Sequence, residues 1–431
     1  MLVKTSGINT FDDWVDFFHQ WREDIGYPTD LIGKDYRWET KLGELESDEV
    51  EFGHFAGQKK WEKVADIPDQ RIKDALIHLI EYQGDTEFAS VEQQKNLIER
   101  APTHYDLEAM IRVNREEMRH GWQMGYLLVT YFGDAGKLRS QRLLERRAGQ
   151  NTRLLGSFNE PVRSWLDFFT YTDFIDRDGK YQLNMLSRSA FAPLAKSMRP
   201  MLQEEAFHLL TGNTGLMRIV KAGVIPTTLI QKYFNKWLST AYDLFGQDES
   251  STAHWSYLWG VKGRYDEHLF DGPPEMSKIN EVSRSQYHKE VQAIVDALNR
   301  NIPPEQPKLK IPDEKFNRGI GAYAGRTYSV DGELLSAAEY EKRIKGYREK
   351  IERYDKEKEE IREKAEELEK RRDDAQQHAG AFGMAAMFLQ IAILLSSISA
   401  LMKKKLFWFI GMGAGCFGLV YFANGFLLFM K

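Results

Sequence analysis

The chain is 431 residues long, with 59 Lys and Arg against 64 Asp and Glu and a formal net charge of −5. That length exceeds one typical domain, and the near balance of signs gives no footing for a nucleic-acid partner. A single cysteine, Cys416, excludes an intrachain disulfide framework and fits a reducing compartment.

Residues Met1 to Gly7 carry neither the basic nor the apolar region of a secretory signal. Residues 1–70 are expected to form short elements packed onto a larger body, with tryptophans at 14, 21, 38 and 61. From Arg71 to Leu97, the residues Leu76, Ile80, Gln83, Glu87, Ser90, Gln94 and Leu97 recur at helical intervals. Glu87 therefore falls on an inward stripe, in a helix that carries Gly84 at a cost of about 1 kcal/mol relative to Ala.

Ala101-Pro102-Thr103 breaks the chain. A second helix is predicted from about Tyr105 to Phe132, ended by Gly133, with Met110, Val113, Glu117, His120, Met124 and Tyr131 on one face. Residues 137–160 read as a basic connection containing Arg139, Arg142, Arg146, Arg147 and Arg153. A third helix is predicted to begin near Pro161 and to carry Trp165, Phe168, Phe169, Thr172 and Asp176. A fourth, Ala190 to Leu210, places Leu194, Met198, Met201, Glu205 and His208 on one side, with Pro200 expected to kink it. Residues 220–300 look helical and aromatic, a supporting layer, and residues 303–328 look like loop.

From Tyr340 the composition changes. Tyr340, Ile344, Tyr347, Ile351, Tyr354, Ile361, Ala365, Leu368 and Ala375 follow alternating steps of four and three, with Lys358 and Arg372 as polar seam positions. That pattern predicts a left-handed coiled coil over residues 336–378, and with it a homo-oligomer. Residues 379–431 contain two uncharged stretches, Gly380 to Leu401 and Leu406 to Met430, separated by Lys403-Lys404-Lys405. Each is long enough to cross ~30 Å of hydrocarbon, so they read as a two-helix membrane anchor, with glycines 411, 413, 415 and 418 for close packing. The positive-inside rule would put the lysine loop in the cytoplasm and the large N-terminal part outside. The lack of a signal sequence opposes that export, so the N-terminal part is expected on the cytoplasmic side of the inner membrane.

A carboxylate and an imidazole on a buried helix face need a compensating partner, because an isolated buried charge is very costly. Three Glu-x-x-His pairs occur: Glu51-His54, Glu117-His120 and Glu205-His208. About one is expected by chance, and Glu51-His54, beside Gly53 and Gly57, is taken as that one. Glu87 precedes Glu117 by 30 residues, and Asp176 precedes Glu205 by 29. Two equal helical hairpins, each with a carboxylate followed by a carboxylate–histidine pair, give an all-α, ferritin-like four-helix bundle with extra helices, over residues 71–335. Four carboxylates and two imidazoles suit two Fe(II) ions in charge and hardness. By spacing, Asp173 and Asp178 compete with Asp176, and an aspartate requires its helix to approach closely.

Tyr82-Gln-Gly-Asp-Thr-Glu87, Glu116-Glu-Met-Arg-His120, Phe174-Ile-Asp-Arg-Asp-Gly179 and Glu204-Glu-Ala-Phe-His208 resemble the oxygenase components of the phenylacetyl-CoA epoxygenase group, in particular the benzoyl-CoA 2,3-epoxidases. The likeness continues through Leu244-Phe-Gly-Gln247, Lys262-Gly-Arg-Tyr-Asp266 and Phe316-Asn-Arg-Gly-Ile-Gly321, over about residues 10–345. The resemblance implies iron ligands at Glu87, Glu117, His120, Asp176, Glu205 and His208, and so selects Asp176 over its neighbours. It also implies a di-iron monooxygenase that uses O2 to epoxidise the ring of an aryl-CoA thioester, with electrons from a separate NADPH-, flavin- and iron–sulfur-dependent reductase. Trp122, Met124, Phe168 and Phe207 become candidates to line the pocket, with core packing the simpler role for each. Arg142, Arg146 and Arg147 become candidates for the CoA phosphates, with a solvated basic face as the simpler role. The C-terminal part resembles small bacterial coiled-coil membrane proteins of unknown function. It leaves two other readings: a membrane-tethered di-iron oxidase of a lipid or other acyl substrate, and a non-catalytic ferritin-like scaffold in a membrane complex.

Overall fold

The computed structural model describes residues 7–33, 36–246, 248, 250–269, 278–314 and 336–429. The Phe316–Gly321 motif lies outside them. Among the described residues there are eleven α-helices and no β-strand. The chain forms two compact units, Met1–Leu335 and Ser336–Lys431.

In the first unit, α1 (Phe11–Asp24) precedes the bundle helices α2 (Gln70–Gln94), α3 (His104–Tyr131), α5 (Trp165–Leu186) and α6 (Ala192–Ala222). The first hairpin is α2 on α3, the second is α5 on α6, and α3 meets α6 across the middle. Side-chain caps fix the starts of α2, α3 and α5: Asp69, Thr103 and Ser164 accept backbone N–H bonds from Arg71, Asp106 and Asp167. The Ser164 cap explains why α5 begins at Trp165 rather than near Pro161. Around the bundle lie α7 (Thr227–Leu244), α8 (Ser251–Leu258) and α9 (Ile279–Asn299), the expected supporting layer.

Gly133 ends α3 with φ of +55°, as predicted, but α4 (Gly133–Glu145) starts at once. The basic connection is therefore partly helical, and three of its arginines are held by buried acids. Arg139 pairs with Glu81, Arg146 with Glu81 and Asp85, and Arg153 with Asp85 and Glu92. All three acids are buried on α2. The stretch supplies countercharge to an acidic helix face that would otherwise be buried unpaired.

α6 runs without a break through Pro200. Proline has no N–H, so the Lys196 carbonyl one turn earlier loses its helical partner. The backbone N–H of Gly43 donates to that carbonyl at 2.8 Å. Residues 36–46 thus cross α6 as an extended lace. The Lys41 N–H donates to Gln123 Oε1 at 2.9 Å, and Lys41 Nζ pairs with Glu204 at 3.1 Å. The N-terminal segment also contributes Trp14, Phe18 and Trp38 to an aromatic cluster with Phe88 and Trp122. It belongs to the same compact unit as the bundle.

The close approach that an aspartate needs is present. A Cβ on Gly212 of α6 would lie 2.5 Å from the Asp173 backbone nitrogen, so only glycine lets α5 come this near.

In the second unit, α10 (Ala337–Met402) begins with a Ser336–Glu339 capping box and continues unbroken from the heptad stretch into the first apolar stretch. Ile351, Tyr354, Ile361 and Leu368 are all more than half exposed on it. A turn with Lys403 in the left-handed region leads into α11 (Lys405–Leu427), which folds back on α10. Glycines 411, 418 and 425, seven residues apart, face α10: a Cβ on Gly418 would lie 2.8 Å from Leu389, and one on Gly425 2.6 Å from Phe382. Gly413 faces open space. The remaining surface of both apolar helices is largely exposed, and each is long and apolar enough to cross a membrane.

Candidate metal centre

The fold brings all six predicted residues together: Glu87 from α2, Glu117 and His120 from α3, Asp176 from α5, and Glu205 and His208 from α6. All six are buried. His120 Nδ1 lies 3.4 Å from Glu87 and 3.7 Å from Glu205. His208 Nδ1 lies 3.3 Å from Glu117, 3.3 Å from Glu205 and 3.7 Å from Asp176. The two rings are 5.9 Å apart, with Glu205 reaching both.

The opposite ring nitrogens are tied down. His120 Nε2 sits 2.9 Å from Glu204 Oε2, and His208 Nε2 sits 3.1 Å from Glu116 Oε2. Each Glu-Glu-x-x-His run thus uses its second Glu at the centre and sends its first to the histidine of the other helix. Glu204 is also bonded by the fully buried Arg119, and Glu116 by Arg112 at 2.9 Å. Sequence reasoning assigned no role to Glu116 and Glu204. The signal was present as a doubled Glu before both pairs, but only the packing of α3 on α6 shows the exchange.

This arrangement fits a metal. Both Nδ1 atoms, Asp176 Oδ2 and Glu205 Oε2 are buried without a hydrogen-bond partner, a state that is costly unless something else coordinates them. A proton on each Nε2, shared with Glu204 or Glu116, leaves the Nδ1 lone pair pointing inward, the usual support for a metal-bound imidazole. Four carboxylates match the charge of two divalent ions, and carboxylate–imidazole donors suit iron.

The protonation pattern reports the same crowding. Burial disfavours a charged His120, but Glu204 and Glu87 outweigh it and hold the imidazole at about 9. Glu204 is itself buried, yet His120 and Arg119 keep it far below the carboxylate range. Burial, with Glu87 as like-charged neighbour, pushes Glu117 up to about 8. Burial raises Asp176 well above its ordinary value, with Glu117 and Glu205 adding to it. Such clustering of mutually repelling buried acids marks functional sites.

A cavity of about 180 Å³ opens between α2 and α5, with Glu87, Glu117, Asp176 and Glu205 in one wall. Leu79, Tyr82, Phe158, Ile175, Leu183 and Leu244 form much of the rest. A cavity of roughly 150 Å³ holds a benzene ring, so one aromatic ring fits beside the carboxylates. Lys262 is the only cation among the described lining residues, and its Nζ donates to Gln182 Oε1 at 2.7 Å.

None of the four candidates for the pocket lining is found there. Trp122 packs in the N-terminal aromatic cluster, and Phe168 packs against Trp165 and Phe169. Met124 closes on Gly84, and Phe207 lies under the Arg112 guanidinium at 3.7 Å. Trp122, Met124 and Phe168 occupy core positions and Phe207 is half-buried, because the cavity lies on the α2–α5 side, away from them. Arg146 is spent on Glu81 and Asp85, and Arg147 bonds the carbonyl of Leu144 and Asp24. Arg142 alone of that trio is exposed. Glu51 pairs with Arg188, and His54 is exposed, so that pair joins no cluster.

The profile of the phenylacetic acid catabolic protein family matches residues 60–309, and that of a domain of unknown function (DUF4337) matches residues 327–428. The benzoyl-CoA oxygenase component B of Aromatoleum evansii is 38% identical over 372 residues, covering 75% of this chain and 77% of the relative. A subunit of the 1,2-phenylacetyl-CoA epoxidase of Escherichia coli (strain K12) is 25% identical over 198 residues, 46% of this chain and 62% of the relative.

Proposed function

This chain belongs to the phenylacetic acid catabolic protein family, and from that premise we propose that it is a di-iron oxygenase that epoxidises the ring of an aryl-CoA thioester, with benzoyl-CoA as substrate. The observation that carries the reading is the ring-sized cavity with four buried carboxylates in its wall. Glu87, Glu117, His120, Asp176, Glu205 and His208 are the residues that would hold the irons. Bound there, two irons supply the electron exchange by which one atom of O2 joins the ring and the other leaves as water, with two electrons and two protons.

The protein's own groups do the rest. Glu204 and Glu116 keep a proton on each Nε2 and so hold both rings in one tautomer. The apolar cavity wall excludes water from a reaction that a strong oxidant must carry out. Lys262, on the wall shared with Gln182 and Asp178, would hold the thioester carbonyl oxygen. The Aromatoleum relative is named as one component of its oxygenase, which supports a separate reductase as electron source. The exposed apolar surface of α10 and α11 supports a membrane anchor, with the oxygenase part on the cytoplasmic side of the inner membrane. The exposed heptad residues on α10 support self-association through a coiled coil.

The test is oxygen consumption by the reduced, iron-loaded full-length protein across a panel of CoA thioesters, with product mass measured. Uptake with benzoyl-CoA and a product one oxygen atom heavier supports the reading. Bound iron with no uptake for any thioester overturns it in favour of the scaffold.

A further inference from the structure

A second cavity, of about 400 Å³, adjoins the metal cavity and shares two of its wall residues, Leu79 and Tyr82. Its other walls include Trp255, Trp259, His78, Ser251 and Thr252. Trp255 and Trp259, one turn apart at the end of α8, stack with ring centroids 5.1 Å apart and planes inclined by 27°. Trp255 is 40% exposed, whereas Trp14, Trp21 and Trp237 are fully buried. The guanidinium of Arg71 lies over the Trp259 ring at 5.9 Å. Arg71 shares its charge with Asp69 at 2.5 Å, but its side chain is 70% exposed and can reach a ligand.

A stacked indole pair with Trp255 exposed and Trp259 half-buried behind it, with hydroxyls and a guanidinium around it, matches a heteroaromatic base that carries phosphate. It is a poor match for a lipid tail, which would meet aliphatic walls. Stacking on an exposed aromatic face needs no specific hydrogen bonds, and arginine adds phosphate affinity. The arginines of residues 142–147 do not offer an equivalent site, because two of the three are held by internal partners.

We propose that this second cavity seats the adenine nucleotide end of the CoA thioester. The base lies on Trp255 and Trp259, Arg71 meets a phosphate, and the pantetheine arm passes Leu79 and Tyr82 into the metal cavity. The proposal rests on the aryl-CoA reading given above.

The experiment compares full-length wild type with Trp255→Ala, Trp255→Phe and Arg71→Gln on two thioesters, benzoyl-CoA and the truncated benzoyl N-acetylcysteamine ester. In Trp255→Ala, the loss in kcat/KM for the CoA ester should exceed the loss for the truncated ester by about tenfold or more. Trp255→Phe should restore most of that difference. Equal losses on both esters, or no difference from wild type, overturn the proposal. Binding of 3′-phosphoadenosine 5′-diphosphate, followed by quenching of tryptophan fluorescence, reads the site without turnover. Nucleotide binding that weakens in Trp255→Ala and Arg71→Gln, in a protein inactive on every thioester, would leave the site standing and remove the reaction. No binding by wild type overturns the site even if the enzyme turns over.

Discussion

Glu204 Oε2 lies 2.9 Å from Nε2 of His120, a residue of a different helix, and Glu116 returns the same contact to His208 at 3.1 Å. The two bonds cross between α3 and α6 in opposite senses. They orient both imidazoles before any ion is bound, and they place a buffered negative charge just outside each ring. Glu204 is the more heavily supported of the two, by Arg119 and by Lys41 as well as by His120.

Removing the charge of these outer carboxylates should weaken the metal without removing a ligand. Glu204→Gln and Glu116→Gln are each expected to lower iron affinity about 10- to 100-fold. Competition with a chelator measures it, and unchanged helical content by circular dichroism shows that the fold is intact. Affinity equal to wild type in both variants would contradict the role assigned here.

The six central residues should behave differently from their supports. Glu117→Ala or His208→Ala is expected to bring iron from two per chain to one or fewer and to abolish oxygen uptake with benzoyl-CoA. Metal analysis of the purified variants decides it. Full occupancy and full activity after either change would remove the metal-centre reading.

Lys262 provides a pH test. Burial pulls its ammonium down to about 8, against the opposing pull of Asp178 and Asp248. Below that value the side chain is charged, and above it the charge is lost. If the ammonium holds the thioester carbonyl, KM for benzoyl-CoA rises as pH passes 8. Lys262→Arg, charged throughout this range, should flatten that rise, and Lys262→Met should show a high KM at every pH. A KM that is independent of pH from 7 to 9.5 in wild type would dismiss the contact.

In the apolar hairpin, the test is steric. Gly418→Val puts atoms where Leu389 already stands, and overpacking of this kind costs about 1–3 kcal/mol. Gly413→Val, facing open space, should cost little. A reporter is available because a Cβ on Gly415 would lie 3.6 Å from that of Ala392, within disulfide reach. With Cys416 replaced by Ser, the Ala392→Cys/Gly415→Cys pair should cross-link readily in membranes. Gly418→Val should slow that reaction and Gly413→Val should not.

Pro200 supplies a stability test. Proline inside a helix costs about 3 kcal/mol relative to alanine. Here the carbonyl it orphans is bonded by the Gly43 N–H, so part of that cost is already offset. Pro200→Ala is therefore expected to gain less than about 1 kcal/mol in denaturant unfolding of the full chain. A gain near 3 kcal/mol would show that the Gly43 bond contributes nothing.

The bundle was legible in the sequence because helical periodicity and the matched 30- and 29-residue intervals each constrain the same four helices. Glu87, Glu117, His120, Glu205 and His208 could be placed on inward faces from that alone. Asp176 could not, since Asp173 and Asp178 lie within one turn. The family resemblance selected it, and in the structure Asp176 alone of the three lies 3.7 Å from His208 Nδ1, while Asp173 pairs with Arg177 and Asp178 accepts from Gln182. The pocket lining stayed out of reach for a related reason: an apolar stripe shows which face is buried but not which of two buried sides remains empty. Arg146 reads as part of a solvated basic face because its partners, Glu81 and Asp85, lie about 60 residues away on α2.

The lace across α6 carries a consequence in time. Lys41 and its partner Glu204 are 163 residues apart in the chain. At a synthesis rate of roughly 5–20 residues per second, Lys41 leaves the ribosome about 8–30 s before Glu204 exists. Until α6 is made, the Gly43 N–H lacks the Lys196 carbonyl and the Lys41 ammonium lacks Glu204, and the Lys41 N–H bond to Gln123 is the one tie of the lace that can form. Trp14, Phe18 and Trp38 find Phe88 and Trp122 sooner, so the aromatic cluster can form before the lace is tied down.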